Sequence, residues 1–197
     1  MIAVVDYGMG NLRSIQKAFQ HLGKKAVVTS SFRTLLKSSH IVLPGVGHFG
    51  RAVKNLRALK LWNPLKEAVI VKKKPFLGIC LGLQLVLEAS QESSSHKGLS
   101  ILEGKVLKFQ GVITPHMGWN KVYLTKTSPL FRGIGNAGFF YFCHSYYAPL
   151  LKTTLGYTLY KVKFSSCINY ENITLVQFHP EKSQRLGLKF LSNFLKQ

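Results

Sequence analysis

Acidic side chains are scarce in this 197-residue chain: seven Asp and Glu stand against 27 Lys and Arg, a formal charge of +20. Such an excess draws nucleic acid, anionic membrane or phosphorylated small molecules. The cations are spread along the chain and not gathered in one arm, and no nucleic-acid-binding motif accompanies them. Arg51, Lys54, Arg57 and Lys60 recur every third residue. That spacing predicts a drifting stripe on one helix, read as a solvated face. Nucleic acid is therefore not an expected partner. Long apolar runs are missing as well. No stretch reaches the roughly 18–20 residues that a membrane-crossing helix needs, so no membrane partner is expected. The opening MIAVVDYG lacks the basic-then-apolar layout of a signal peptide and reads as a strand that begins at once. Cysteine is sparse and odd in number: Cys80, Cys143 and Cys167, with no repeated spacing. That argues against a disulfide framework and against a zinc site. The expectation is a cytoplasmic protein without metal. At this length one domain spanning 1–197, with an ample core, is expected.

The first half alternates two periods. IAVVD (Ile2 to Asp6) reads as a strand, and Leu12, Ile15, Ala18, Phe19 and Leu22 then repeat at helical spacing up to Gly23. KAVVTS is a second strand, SFRTLLKS a short helix and IVLPG (Ile41 to Gly45) a third strand ending in a glycine loop. A helix through Val53, Leu56 and Leu59 precedes the strand PFLGI. This rhythm predicts an α/β fold with a mostly parallel central sheet and helices on both faces. From Gly98 to Val176 the chain turns aromatic and β-branched: KVLKF, WNKVYLT, FFYFCHSYYA, YTLYKVKF and ITLVQF predict a mixed or antiparallel extension of that sheet. QESSSHKG reads as a loop. Leu186, Phe190, Leu191, Phe194 and Leu195 predict a closing amphipathic helix.

Within PFLGICLGLQLVLEAS, Cys80 lies between the strand PFLGI and the helically spaced LQLVLEAS, flanked by Gly78 and Gly82. The carboxyl edge of a parallel sheet is where such folds bind ligands. G-x-C-x-G follows the logic of a nucleophile elbow, in which a strained turn presents the side chain and glycines relieve crowding. The start of a helix favours thiolate, and the Leu81 N–H is placed to stabilise an oxyanion. The alternative is a buried structural cysteine in a tight turn. A nucleophilic cysteine needs a base. LVQFHPE ends in His179 and Glu181, two apart, which in extended chain point to the same side. A carboxylate beside an imidazole holds its tautomer. LPGVGHFG (Leu43 to Gly50), at another strand's end, offers a flexible loop for a second backbone donor.

These pieces together resemble the class I glutamine amidotransferases, whose Cys-His-Glu triad lies in G-x-C-x-G-x-Q and H-P-E. Cys80, His179 and Glu181 fall on those positions, and the resemblance covers essentially the whole chain as one type 1 amidotransferase domain with a flavodoxin-like sheet. DYGMGNLRS, LPGVG, PHMGWN (Pro115 to Asn120), FCHSYYA and QFHPEKS resemble one subfamily, the glutaminase subunits of imidazole glycerol phosphate synthase in histidine biosynthesis. The resemblance implies hydrolysis of L-glutamine through a glutamyl thioester, with Leu81 and Val46 supplying the oxyanion hole. It implies that Gly45, Gly47, Gln84, Glu92, His144, Ser145 and Tyr146 hold the substrate. Met117 and Trp119 would face the partner, a (β/α)8 cyclase subunit that forms a heterodimer and receives the ammonia. No cofactor is implied. The DYGMGN turn lacks the third glycine of a dinucleotide-binding loop, Arg13 standing in its place. Two other readings stay open: a glutaminase subunit serving a sugar-aminating synthase for surface polysaccharides, and a basic nucleic-acid-binding protein with a vestigial triad.

Overall fold

A computed structural model describes residues 1–197. The chain begins β1 (Ile2–Val5), α1 (Leu12–His21), β2 (Ala26–Thr29), α2 (Phe32–Lys37), β3 (His40–Leu43) and α3 (Phe49–Ala58). A short α4 (Trp62–Lys66) runs into a π-helical turn, Glu67–Val71, before β4 (Phe76–Ile79) and α5 (Leu81–Val86). Then follow β5 (Ala89–Ser90), β6 (Lys105–Lys108), β7 (His116–Leu124), β8 (Ala137–His144), β9 (Tyr146–Tyr147), β10 (Thr154–Tyr160), β11 (Val162–Tyr170) and β12 (Ile173–Val176). The last helix is α6 (Gln184–Phe194).

One nine-stranded sheet organises the chain, in the order β2-β1-β3-β4-β12-β11-β10-β7-β8. The first five are parallel neighbours, an order of the flavodoxin type, and the other four add on antiparallel. The expected α/β architecture is thus the observed one. All four residues of β1, β4 and β12 are buried, as strands covered on both faces must be. Alternation divides β1 between two cores. Ala3 and Val5 pack with Leu43, Phe49 and Leu81 on one face. Ile2 and Val4 pack with Ile79, Phe178, Phe190 and Phe194 on the other. A small sheet, β5-β6-β9, flanks the main one. No helix is long and apolar enough to cross a membrane.

Four sequence expectations need correction. The helix after Cys80 does not run to Ser90: it stops at Val86, and Ala89–Ser90 is a strand paired with β6. Apolar spacing could not separate the two, because every residue from Leu81 to Leu87 is buried whatever its period. YTLYKVKF is two strands, folded back at Lys161, whose φ is +60°. The basic stripe loses its last member, since α3 ends at Ala58 and Lys60 has left-handed φ of +56°. Arg51, Lys54, Arg57 and Lys60 are all exposed, as a solvated face requires, and the Arg57 guanidinium lies 4.3 Å from the Trp62 ring centre. KVLKF does not extend the main sheet: Lys105–Lys108 pair with β5 and β9 in the small one, because the chain leaves the main sheet after α5.

Candidate active site

Strand β4 lies between β3 and β12 and delivers Cys80 to the carboxyl edge of the sheet. There the backbone turns sharply: Cys80 has φ +54° and ψ −106°. A β-carbon at such φ costs on the order of 1–3 kcal/mol and persists only where the surroundings impose it. Here they do. The Cys80 N–H donates to Val176 O at 2.7 Å, and the Cys80 carbonyl accepts from Leu83 and Gln84. The flanking glycines make the turn possible by close approach. A Cβ on Gly82 would overlap the Leu43 carbonyl oxygen of β3, and one on Gly78 would come within 2.8 Å of the Leu175 side chain. Because the first obstacle is backbone, Gly82→Ala is expected to destabilise the chain by about 1–3 kcal/mol, a Tm drop of roughly 3–10 °C. An unchanged melting temperature would contradict this packing.

His179 stands three residues beyond β12. Its N–H donates to Tyr141 O at 2.8 Å, and the Ser183 hydroxyl donates to its carbonyl at 2.7 Å. Pro180–Lys182 form a 3₁₀ turn, so the His179–Glu181 approach is made by that turn and not by the extended chain expected from sequence. Pro180, with φ fixed near −65°, suits the first position of such a turn. His179 Nδ1 lies 2.9 Å from Glu181 Oε1, and both side chains are at most 3% exposed. The carboxylate accepts, so Nδ1 carries the proton. Nε2 and Glu181 Oε2 are buried with no hydrogen-bond partner. Burial pulls the imidazolium pKa down, but the adjacent Cys80 sulfur and Glu181 carboxylate outweigh it and push it up to about 10. The protonated ring gains these partners on folding. That stabilisation is complete below the unfolded pKa near 6.5 and fades as pH rises through about 10. Imidazole NMR is the check: Cys80→Ala should lower the His179 pKa, and an unmoved titration would deny the electrostatic link.

A cleft of about 420 Å³ opens beside Cys80, lined among others by Val46, Gly47, Gln84, Glu92, Ser145 and Tyr146. With His144, six of the seven expected substrate residues thus converge there, while Gly45 is buried. Three of them are also held by the protein itself. Gln84 reaches the cleft from α5 as expected; it is 4% exposed, and its amide donates to Tyr146 O at 3.1 Å and to Gln177 Oε1 at 3.3 Å. Glu92 Oε2 accepts from the Phe49 N–H at 2.7 Å and so caps the first turn of α3. His144 lines the cleft, but both ring nitrogens are engaged, Nδ1 by Tyr146 O and Nε2 by His116 Nδ1. Met117 and Trp119, two apart on β7, are 61% and 48% exposed. Their alternation puts both on the outer face of the sheet. Two neighbours were missed by sequence reasoning. The buried Gln177 amide lies 3.5 Å from Cys80 Sγ, and the thiol points to Cys143 O at 3.8 Å. Gln177 sits two residues before His179, in register with the same edge, which is the only signal it gave.

The glycine loop is not set up as an oxyanion hole. The Leu81 N–H donates to Gly45 O at 3.3 Å. The Gly45–Val46 peptide thus presents its carbonyl to Leu81, and both expected donors, Leu81 N–H and Val46 N–H, are out of position. Tyr7 holds the loop from behind, its hydroxyl donating to Pro44 O at 2.7 Å, and burial raises its phenol pKa. A Cβ on Gly45 would collide with that hydroxyl. The DYGMGN turn thus has a structural use: it backs the loop after β3.

An open α/β sheet with Cys, His and Glu at its carboxyl edge has the parts of a cysteine-nucleophile hydrolase site. The class-I glutamine amidotransferase family model matches residues 3–197, and the chain belongs to that family. Among its relatives, the imidazole glycerol phosphate synthase subunit HisH of Methanocaldococcus jannaschii is 47% identical over all of this chain and 99% of its own length. HisH of Thermococcus kodakarensis is 48% identical over 98% of each. A solved glutamine amidotransferase superposes with a TM-score of 0.79 over the whole chain and 98% of its own, at 16% identity, a likeness of fold alone.

Proposed function

We propose that this chain is the glutaminase subunit of an imidazole glycerol phosphate synthase. It hydrolyses L-glutamine to glutamate and ammonia and passes the ammonia to a (β/α)8 cyclase subunit. The observation that carries the reading is Cys80 on the cleft wall with the buried His179–Glu181 pair behind it, Nδ1 2.9 Å from Oε1. The full-length identity to HisH subunits supports this particular synthase.

In the proposed reaction the Cys80 thiolate attacks the carboxamide carbon. The tetrahedral oxyanion collapses, the C–N bond breaks, and ammonia leaves with a proton from His179. A glutamyl thioester remains on Cys80. His179 then takes a proton from water, whose oxygen attacks the thioester, and the thiolate departs from glutamate. Glu181 holds the Nδ1 proton throughout. Before the first step the Gly45–Val46 peptide must turn its N–H inward, which frees the Leu81 N–H as well. Partner binding through Met117 and Trp119 is the proposed trigger. The ammonia feeds the partner's synthesis of imidazole glycerol phosphate and an aminoimidazole carboxamide ribotide. The test is ammonia release from glutamine by the chain alone and with a cyclase subunit bearing its ligand. Stimulation by a sugar-aminating synthase and not by the cyclase would reassign the subunit.

A further inference from the structure

His116 lies on β7, 28 residues from His144 in sequence and opposite it in the β7–β8 ladder. Its Nδ1 is 3.0 Å from His144 Nε2, and its Nε2 is 3.1 Å from Asn120 Nδ2. The His144 Nδ1 is 2.8 Å from Tyr146 O. The direction of each bond is forced. Tyr146 O only accepts, so His144 Nδ1 bears hydrogen. In a neutral ring Nε2 must then accept, so His116 Nδ1 donates. His116 Nε2 in turn accepts from Asn120 Nδ2, which can only donate. The Asn120 amide is oriented from outside the chain of rings: its Oδ1 accepts from Lys121 N–H at 2.7 Å, and its Nδ2 also reaches Leu159 O at 3.2 Å.

Adding a proton to either ring would set two donors face to face. Burial opposes that too, holding the His116 pKa down at about 4 and that of His144 at about 3. At its far end the relay meets a second donor. Tyr146 O also accepts from Gln84, one helical turn beyond Cys80. Both lone pairs of that carbonyl are therefore filled, and the Tyr146–Tyr147 peptide is fixed in one orientation. Ser145 and Tyr146 form the cleft wall just before it.

We propose that Asn120 and His116 are positioning residues for the glutamine cleft, acting through His144 to fix the Ser145–Tyr146 wall by a one-way hydrogen-bond relay. The relay begins in the strand that carries Met117 and Trp119, on the face opposite to theirs, so β7 is joined to the substrate wall by three hydrogen bonds. This inference rests on the amidotransferase reading.

Two measurements test it. Nitrogen-15 NMR of the full chain should find both His116 and His144 as Nδ1–H tautomers with unprotonated Nε2. Either ring in the other tautomer overturns the relay. Calorimetric glutamine binding in a Cys80→Ala background gives the functional arm. His116→Leu should weaken binding about ten-fold, as losing a buried hydrogen bond does. His116→Asn, which restores a donor toward His144, should recover most of the loss. Asn120→Ala, at a half-buried and more tolerant position, should weaken binding about three-fold. Unchanged affinity in folded His116→Leu or Asn120→Ala protein overturns the positioning role alone. A Cys80→Ala protein with no glutamine affinity overturns the amidotransferase reading and the role together.

Discussion

Cys80→Ala lowers glutaminase turnover in the assembled synthase by about 10⁴-fold or more, because the covalent route is closed and only binding and electrostatics persist. The loss arises from chemistry and not from misfolding. Alanine at φ +54° carries the same backbone strain as cysteine, and the bonds that impose the turn run through the main chain. Melting temperature should therefore stay near that of the parent. Glu181→Gln gives a smaller fall, about 10³–10⁴-fold. A glutamine amide can donate to His179 Nδ1, which moves the ring proton to Nε2 and turns the base the wrong way. Steady-state ammonia release with partner present measures both. Turnover within ten-fold of wild type for Cys80→Ala would remove this residue as nucleophile.

The second large effect is the partner's. The chain alone should hydrolyse glutamine about 10²–10³-fold more slowly than the complex carrying cyclase ligand. That is the cost of lacking an oxyanion donor, and the Gly45 carbonyl occupies the Leu81 N–H in the isolated chain. The stimulation should appear in kcat, since the donors act on charge that exists only in the transition state. A free chain as fast as the complex would mean that the Gly45–Val46 peptide does not govern the rate.

Much of this site was legible because its chemistry is concentrated in short motifs. Gly78-x-Cys80-x-Gly82 announces a turn that only glycines permit, and the contacts with Leu43 and Leu175 give the reason. His179-Pro180-Glu181 pairs base and carboxylate within three residues. The strands β1, β4 and β12 are read from continuous apolar runs. What escaped was made by distance in the chain. Gln177 reaches Cys80 only after β12 has paired with β4, and His116 meets His144 only through the β7–β8 register. Glu92 was expected as a ligand contact, yet its cap on α3 depends on the loop before β6 folding back across 43 residues. The end of α5 was hidden by uniform burial, which erases the contrast that periodicity needs.

Pro44 to Phe49 is a short span hung between two posts. Tyr7 grips the carbonyl at one end, and Glu92 grips the Phe49 N–H at the other. Neither end is free to travel, so any rearrangement inside must close on itself. One peptide plane can still rotate as a crankshaft, the torsions on its two sides turning in opposite senses while the α-carbons stay put. Gly45 supplies one of those torsions without a side chain to sweep into Tyr7. Activation built this way displaces almost no mass, opens no lid and leaves the cleft walls where they are. It would be nearly silent in a comparison of α-carbon traces, and visible in the direction of a single carbonyl.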